Sequence, residues 1–257
     1  MQILSIGDVI GKPGRETVRR LLPGLRQQYK LDMVIANAEN AAGGMGLTLS
    51  TAKELLDAGV DVLTSGNHIW DQKEIIPYLD GNLPVVRPFN YPPGAPGRGC
   101  YFRGNVAVIN LIGRTFMNNY DCPFRAADSL LAGFRNNYQI IIVDFHAEAT
   151  SEKVAMGRYL DGRVSAVVGT HTHVGTIDAK VFPKGTAHIT DIGMTGPAES
   201  IIGDDIQSVL QRFLSVIPHR LAVGTGNKNI FNSVLIDVDD KSGQAISIAR
   251  VDREIDI

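Results

Sequence analysis

Short apolar runs recur through the first 170 residues, each followed by a polar, glycine-containing turn and then by a stretch of helical periodicity. That alternation predicts an α/β protein. Strands are expected over 3–6, 33–36, 60–64, 106–111, 140–144 and 164–168, most of them apolar at consecutive positions and so buried on both faces. Between them, Thr51 and Glu54 suggest a capping box ahead of Ala52, Leu55 and Leu56, with Gly59 as a left-handed stop. Pro123 opens a helix carrying Ala127, Leu130, Leu131 and Phe134 on one face. Asp204 or Asp205 caps another, with Ile206, Val209, Leu210, Phe213, Leu214 and Ile217 as its apolar face and Pro218 as its end. In the first helix Pro23 and Gly24 interrupt the stripe Val18, Leu21, Leu22 and Leu25, which predicts a kink or a split.

The period changes toward the C-terminus. Val234, Ile236 and Val238 alternate with polar residues, 239–243 is turn-forming, and Ile246 and Ile248 resume the alternation, which predicts a hairpin. Parallel βα units followed by antiparallel strands imply a mixed architecture. No stretch is long or polar enough to act as a linker, so one domain over 1–257 is expected. The Pro- and Gly-rich stretch 87–99 reads as an ordered loop on the active-site side, because strand material resumes directly after it.

Composition narrows the function classes. A 257-residue chain with 44% hydrophobic and 20% charged residues can bury a sizeable core. Its 25 Lys and Arg against 27 Asp and Glu leave a formal charge of −2, a poor fit to a protein that holds long nucleic acids by bulk charge. Arg15, Arg19, Arg20 and Arg26 read as a solvated helix flank, without aromatic platforms for stacking bases. Cys100 and Cys122 form no CxxC pair, and the chain start lacks a basic flank and a long apolar run, so a soluble, cytoplasmic setting without a membrane is expected.

In α/β sheets, function collects at the carboxyl ends of the strands. There this chain places Asp8 after the first run, Glu39 and Asn40 after the second, Asn67 and His68 after the third, and His146, then His171 and His173, after later ones. Alone, each has an ordinary explanation: Asp8 and Asn67 as turn residues, Glu39 and Asn40 as a solvated pair, His68 as a cap, His146 as a buried structural histidine. His171 and His173 would project to one side if the chain leaves the strand extended. The conjunction at one edge points to a metal site of oxygen and imidazole donors without thiolate, which suits Mn, Fe or Zn better than Ca. These side chains exceed one tetrahedral site, and two cations sharing Glu39 would use them, an arrangement that can clamp a phosphoryl group.

The ordered series Gly7-Asp8, Glu39-Asn40, Gly66-Asn67-His68, His146 and 169–173 (GTHTH) resembles the calcineurin-like metallophosphoesterase superfamily. Its opening at 7–11 (GDVIG), the box at 37–40 (NAEN) and the segment at 190–197 (TDIGMTGP) are similar to the bacterial YmdB-like branch. The resemblance implies a four-layer α/β/β/α fold, a mixed β-sheet sandwich flanked by helices. It also implies that Glu39 bridges two Fe or Mn ions, with Zn as a further candidate. Asp8, Asn40 and His173 would complete one metal; Asn67, His146 and His171 would complete the other. The wider superfamily places a metal-binding His where this chain has Ile10, so Asn40 is the implied replacement.

A bridging hydroxide would then attack a phosphodiester, with His68 as general acid. Small cyclic nucleotides are the implied substrates, 2′,3′-cyclic first and 3′,5′-cyclic next. The loop 41–46 could approach a phosphate through backbone amides, Thr195 and Gly196 could line the mouth, and Asp71 and Glu74 read as helix-start acids. His188 and His219 read as structural. A phosphomonoesterase or protein phosphatase on the same scaffold, and a regulatory nucleotide-binding protein with little turnover, stay open as alternatives, as does a homo-oligomer. The stretch 7–12 lacks the spacing and the Ser or Thr of a phosphate loop, which argues against a nucleoside triphosphatase.

Overall fold

The alternation is realised in two facing sheets and a smaller third one in the computed structural model, which describes residues 1–134, 137–218 and 220–256. His219 lies outside the described residues. The first half runs β1 (Gln2–Ile6), β2 (Asp8–Val9), α1 (Gly11–Tyr29), β3 (Met33–Asn37), α2 (Leu49–Asp57), β4 (Val62–Thr64) and α3 (Ile76–Leu79). Next come β5 (Cys100–Arg103), β6 (Val106–Ile112), α4 (Pro123–Phe134), β7 (Ile140–His146), α5 (Thr150–Tyr159) and β8 (Ala166–Thr170). The last part holds β9 (Lys180–Val181), β10 (Ala187–Ile189), β11 (Met194–Pro197), α6 (Ile206–Ser215), β12 (Lys228–Phe231), β13 (Ser233–Val238), β14 (Ala245–Arg250) and β15 (Arg253–Asp256).

One sheet has the order β14-β13-β1-β3-β4, the second β5-β6-β7-β8-β10-β9, the third β15-β12-β11-β2. The apolar runs are buried on both faces because the two large sheets pack on each other through one face and on helices through the other. Ile3, Met33 and Ile35 meet Val108, Ile142 and Val168 between the sheets. Leu4, Val34 and Ala36 point the other way, onto Val18 and Leu22 of α1 and Leu55 of α2, and Ile109, Val143 and Phe145 do the same beside Ala127 of α4 and Met156 of α5. The result is the expected four-layer α/β/β/α sandwich. Among the described residues no helix is long and apolar enough to cross a membrane.

Several local expectations are corrected by tertiary context. The capping box of α2 is formed by Thr48 and Thr51, not by Thr51 and Glu54; Glu54 is drawn away by Arg15, 2.5 Å distant. Helix α1 is not split at Pro23, because Val18, Leu22 and Leu25 are all held in the core, at the loss of one backbone hydrogen bond. Of the four arginines on its flank, Arg19 and Arg20 are exposed, whereas Arg15 and Arg26 are tied to Glu54 and Asp61. Asp205 caps α6, but that helix buries only Val209 and leaves Phe213 and Leu214 exposed, so its apolar face is not a core face. In the predicted hairpin the register between β13 and β14 skips Ile246, which is therefore exposed instead of alternating inward.

Candidate metal centre

Strands β1, β3 and β4 of one sheet and β7 and β8 of the other end at the same side of the sandwich. The chain leaves β1 at Gly7 and crosses into the third sheet, where Asp8 pairs with Met194 of β11. Asp8, Glu39, Asn40 and His146 are buried there. Around His146 Nε2 three acceptors converge: Glu39 Oε1 at 3.1 Å, Asn67 Oδ1 at 3.1 Å and His171 Nδ1 at 3.0 Å. Donors about 3 Å apart are what adjacent positions around one cation with bonds of about 2.1 Å require.

A second group adjoins it through Glu39. Asn40 Nδ2 lies 3.3 Å from Glu39 Oε1 and 3.1 Å from His173 Nε2, and Asp8 Oδ1 lies 3.7 Å from the same His173 nitrogen. The Asn40 amide is nearly isosteric end for end, and exchanging its ends turns the carbonyl oxygen toward Glu39 and His173. Asp8 Oδ1 is fully buried with no hydrogen-bond partner among the described residues, an orphaned anionic oxygen that a cation would satisfy. The donor set, the spacing and this orphan fit an oxygen- and imidazole-ligated metal centre.

Charge is distributed accordingly. Burial alone would raise the Glu39 carboxyl, but the charge and hydrogen bond of His146, with help from His68, overcome it and hold the group at about 2. Burial opposes protonation of His146, yet Glu39, then Asp8 and Asp144, push it up to about 9. His171 is driven the other way, to about 3, by burial and by the neighbouring His146 charge. Burial also lifts Asp8 to about 6. A cation entering between these donors must therefore displace a proton from His146.

Supporting side chains aim the ring nitrogens. His146 Nδ1 donates to Thr170 Oγ1 at 3.0 Å, and that hydroxyl donates to the buried Asp144 at 2.7 Å, which leaves Nε2 facing the cluster. His173 Nδ1 donates to the Ile202 carbonyl at 2.6 Å. His171 Nε2 lies 3.1 Å from Glu148 Oε2, an arrangement that presents Nδ1 inward. Glu148→Ala is expected to weaken metal affinity about 10-fold or more, with the fold intact; titration of metal into the stripped protein checks it, and an unchanged affinity would remove Glu148 from this role.

All seven expected ligands are thus brought together, although the two GTHTH histidines reach the site differently from the expectation. They are not on an extended chain: His171 has φ 104° and His173 φ 64°, so left-handed backbone after β8 aims both rings. Gly66 is required by close approach, since a Cβ there would overlap the His146 ring and Glu39 Oε2. His68 stands at the rim: its backbone N–H donates to Glu39 Oε2 at 3.1 Å, while its Nδ1 pairs with Asp71 Oδ2 at 2.7 Å.

Asp71 is accordingly a partner of His68 and not a helix-start acid, whereas Glu74 does lie in the first turn of a short 3-10 helix, Lys73–Ile75, and also accepts the Leu49 N–H at the start of α2, 3.3 Å away. Thr195 and Gly196 do not line the mouth, because they are buried within β11, an inner strand of the third sheet. The cavity, about 520 Å³, is walled by Gly43, Gly44 and Met45 of the loop 41–46 and by His68, Asp204 and Arg212 beside the donor cluster. The ordered loop 87–99 folds around the buried Arg87, which donates to the carbonyls of Pro88, Ala95 and Pro96, and its Tyr91 hydroxyl reaches the Gly66 carbonyl at 3.4 Å. His188 is buried in β10 and stacked on Phe182, away from the site. The sequence alone does not mark Asp144, Glu148 or Thr170 for these roles; a lone Asp inside the apolar run 140–145 is the one signal it offers.

A family model described as YmdB-like protein matches residues 4–251. The 2′,3′-cyclic-nucleotide 2′-phosphodiesterase of Bacillus subtilis is 49% identical over 255 residues, 98% of this chain and 96% of that one. Among solved structures, a hypothetical protein from Thermus thermophilus superposes with a TM-score of 0.92 at 45% identity, covering 99% of both chains. A protein from Mycoplasma pneumoniae described as a novel phosphatase superposes with a TM-score of 0.93 at 33% identity, covering 100% of this chain and 94% of that one.

Proposed function

The chain belongs to the YmdB-like protein family, and from that membership we propose that residues 1–257 form one metallophosphoesterase domain hydrolysing small phosphodiesters. Its leading substrates are 2′,3′-cyclic nucleotides, as the name of the B. subtilis relative suggests, with 3′,5′-cyclic nucleotides as further ones. The observation that carries this reading is the convergence of buried oxygen and imidazole donors around Glu39, with one imidazole, His68, left at the cavity wall.

Asp8, Asn40 and His173 would hold one cation, Asn67, His146 and His171 the other, and Glu39 both; Fe or Mn suits the set, with Zn as the third choice. When bound, such ions polarise phosphoryl oxygens and bring the pKa of coordinated water toward neutrality. The protein's own part is orientation and proton supply. Asp71 Oδ2 accepts the Nδ1–H of His68 and orients the ring, which leaves Nε2 for the substrate; in the imidazolium form that Nε2–H delivers a proton to the leaving alkoxide and Nδ1–H stays on Asp71. Apart from the ligand Glu39, the cavity wall carries two carboxylates, Glu148 and Asp204, and one guanidinium, Arg212, so little positive charge beyond that of the cations would meet the second charge of a monoester, which favours a monoanionic diester.

Metal analysis joined to a hydrolysis screen tests the reading. About two ions per chain are expected after gentle purification, with cyclic nucleotides and bis-p-nitrophenyl phosphate turned over faster than p-nitrophenyl phosphate. Fewer than about one ion per chain would sink the two-metal centre. Faster turnover of the monoester would sink the diesterase reading, and full metal content without turnover would favour a regulatory binding protein.

A further inference from the structure

The segment 190–197 carries an aspartate, Asp191, to which the proposed chemistry assigns nothing, and it is nearly fully buried against Lys153 of α5, at 2.5 Å. A charged pair in the interior is costly unless each group is well satisfied. Asp191 is satisfied in a particular way. Its Oδ2 accepts the Thr172 N–H at 3.2 Å and the Thr172 hydroxyl at 2.7 Å as well as Lys153 Nζ, and its Oδ1 accepts the Gly193 N–H at 2.8 Å.

Thr172 lies between His171 and His173, the two residues held in left-handed backbone. Such a conformation is unfavourable for a side chain with a Cβ and persists only where the surroundings over-determine it. The flanking anchors are the His171 N–H on Asp8 Oδ2 at 3.2 Å and His173 Nδ1 on the Ile202 carbonyl. Thr172 supplies the central anchor through two hydrogen bonds to one carboxylate oxygen. Lys153 Nζ holds that carboxylate in place at 2.5 Å, with its stem against Gly169, where a Cβ would come within 3.2 Å of Lys153 Cδ.

We propose that Lys153, Asp191 and Thr172 are positioning residues: the buried pair clamps Thr172 and so holds the His171 and His173 rings toward the donor cluster. None of the three is a ligand in the reading above, on which this inference rests. An asparagine at 191 could not serve, since one of its two ends would confront donors with an amide N–H. The pair acts on the two rings through the backbone of one loop, without touching either ring.

Thr172→Val tests this with the Lys153–Asp191 pair left intact, and Thr172→Ser restores the hydroxyl. Two measurements are made: the NMR ring signals of His171 and His173 in metal-stripped protein, and titration of Mn²⁺ into the same samples. In Thr172→Val the ring signals should shift and broaden and Mn²⁺ affinity should fall about 10-fold or more, the melting temperature of the stripped protein staying near wild type. Thr172→Ser should return both readouts toward wild type. Unchanged ring signals and affinity in Thr172→Val would overturn the positioning role, as would a loss that Thr172→Ser fails to restore. If wild type itself takes up no Mn²⁺, the metal reading fails by itself, and the ring signals still decide whether the clamp sets the two imidazoles.

Discussion

Replacing His68 by alanine is expected to lower kcat on a cyclic nucleotide by about 10²–10⁴-fold, the range a positioned general acid supplies, while the metal content stays that of the wild type. The geometry separates the two effects. What His68 contributes to the donor cluster is its backbone N–H on Glu39 Oε2, which alanine retains; what alanine removes is the imidazole that Asp71 orients. The deficit should also depend on the leaving group. An alkoxide needs a proton on departure, whereas p-nitrophenolate leaves as a stable anion, so bis-p-nitrophenyl phosphate should be hydrolysed with a much smaller loss. Metal analysis beside steady-state kinetics on both substrates checks this. A variant that empties the centre would make His68 a ligand, and an equal loss on both substrates would remove it as the acid.

Gly66→Ala is expected to have an effect of comparable size by the opposite route. A Cβ at this position would overlap the His146 ring and Glu39 Oε2, and neighbouring Asn67 meets the same His146 ring through its Oδ1 at 3.1 Å. Gly66 does not stand in left-handed backbone, so alanine meets no backbone strain and the conflict is confined to the donors. Metal content should drop below about one per chain, and activity should fall by more than about 10²-fold, the loss that a displacement of about 1 Å produces in a reacting centre. Circular dichroism of the stripped variant should match wild type. A variant that binds its full complement of metal would show that the ions do not sit against Gly66.

The two variants also mark what sequence reading can reach. Apolar runs ending in polar turns announce buried strands and their functional ends, because burial forces period and hydropathy onto the residues themselves. Hence Asp8, Glu39, Asn40, Asn67, His146, His171 and His173 could be picked out by position and side-chain chemistry. Glu148, Asp144 and the Lys153–Asp191 clamp could not, since each acquires its role from a partner set by chain topology; Asp71 lies only three residues from His68, but the turn that joins them is not marked by the apolar pattern. His146 leans on Thr170 of the neighbouring strand, which in turn rests on Asp144, and Thr172 leans on an aspartate 19 residues away.

The same limit explains the local errors. Thr51 and Glu54 had capping-box spacing, but Thr48 was free to cap and Glu54 was drawn to Arg15. The apolar face of α6 follows helical periodicity, yet periodicity does not say that another element covers it.

By itself, then, the sequence determined the α/β order, the buried strands and the chemical kind of centre, because each is written in the local alternation of apolar and polar side chains. Only the tertiary structure decided that Asp8 enters from a third sheet, that left-handed backbone aims His171 and His173, and that Gly66 must yield room to His146. Those features come from close approaches between segments far apart in the chain, and the energy of such an approach belongs to the pair, with no trace in either segment alone.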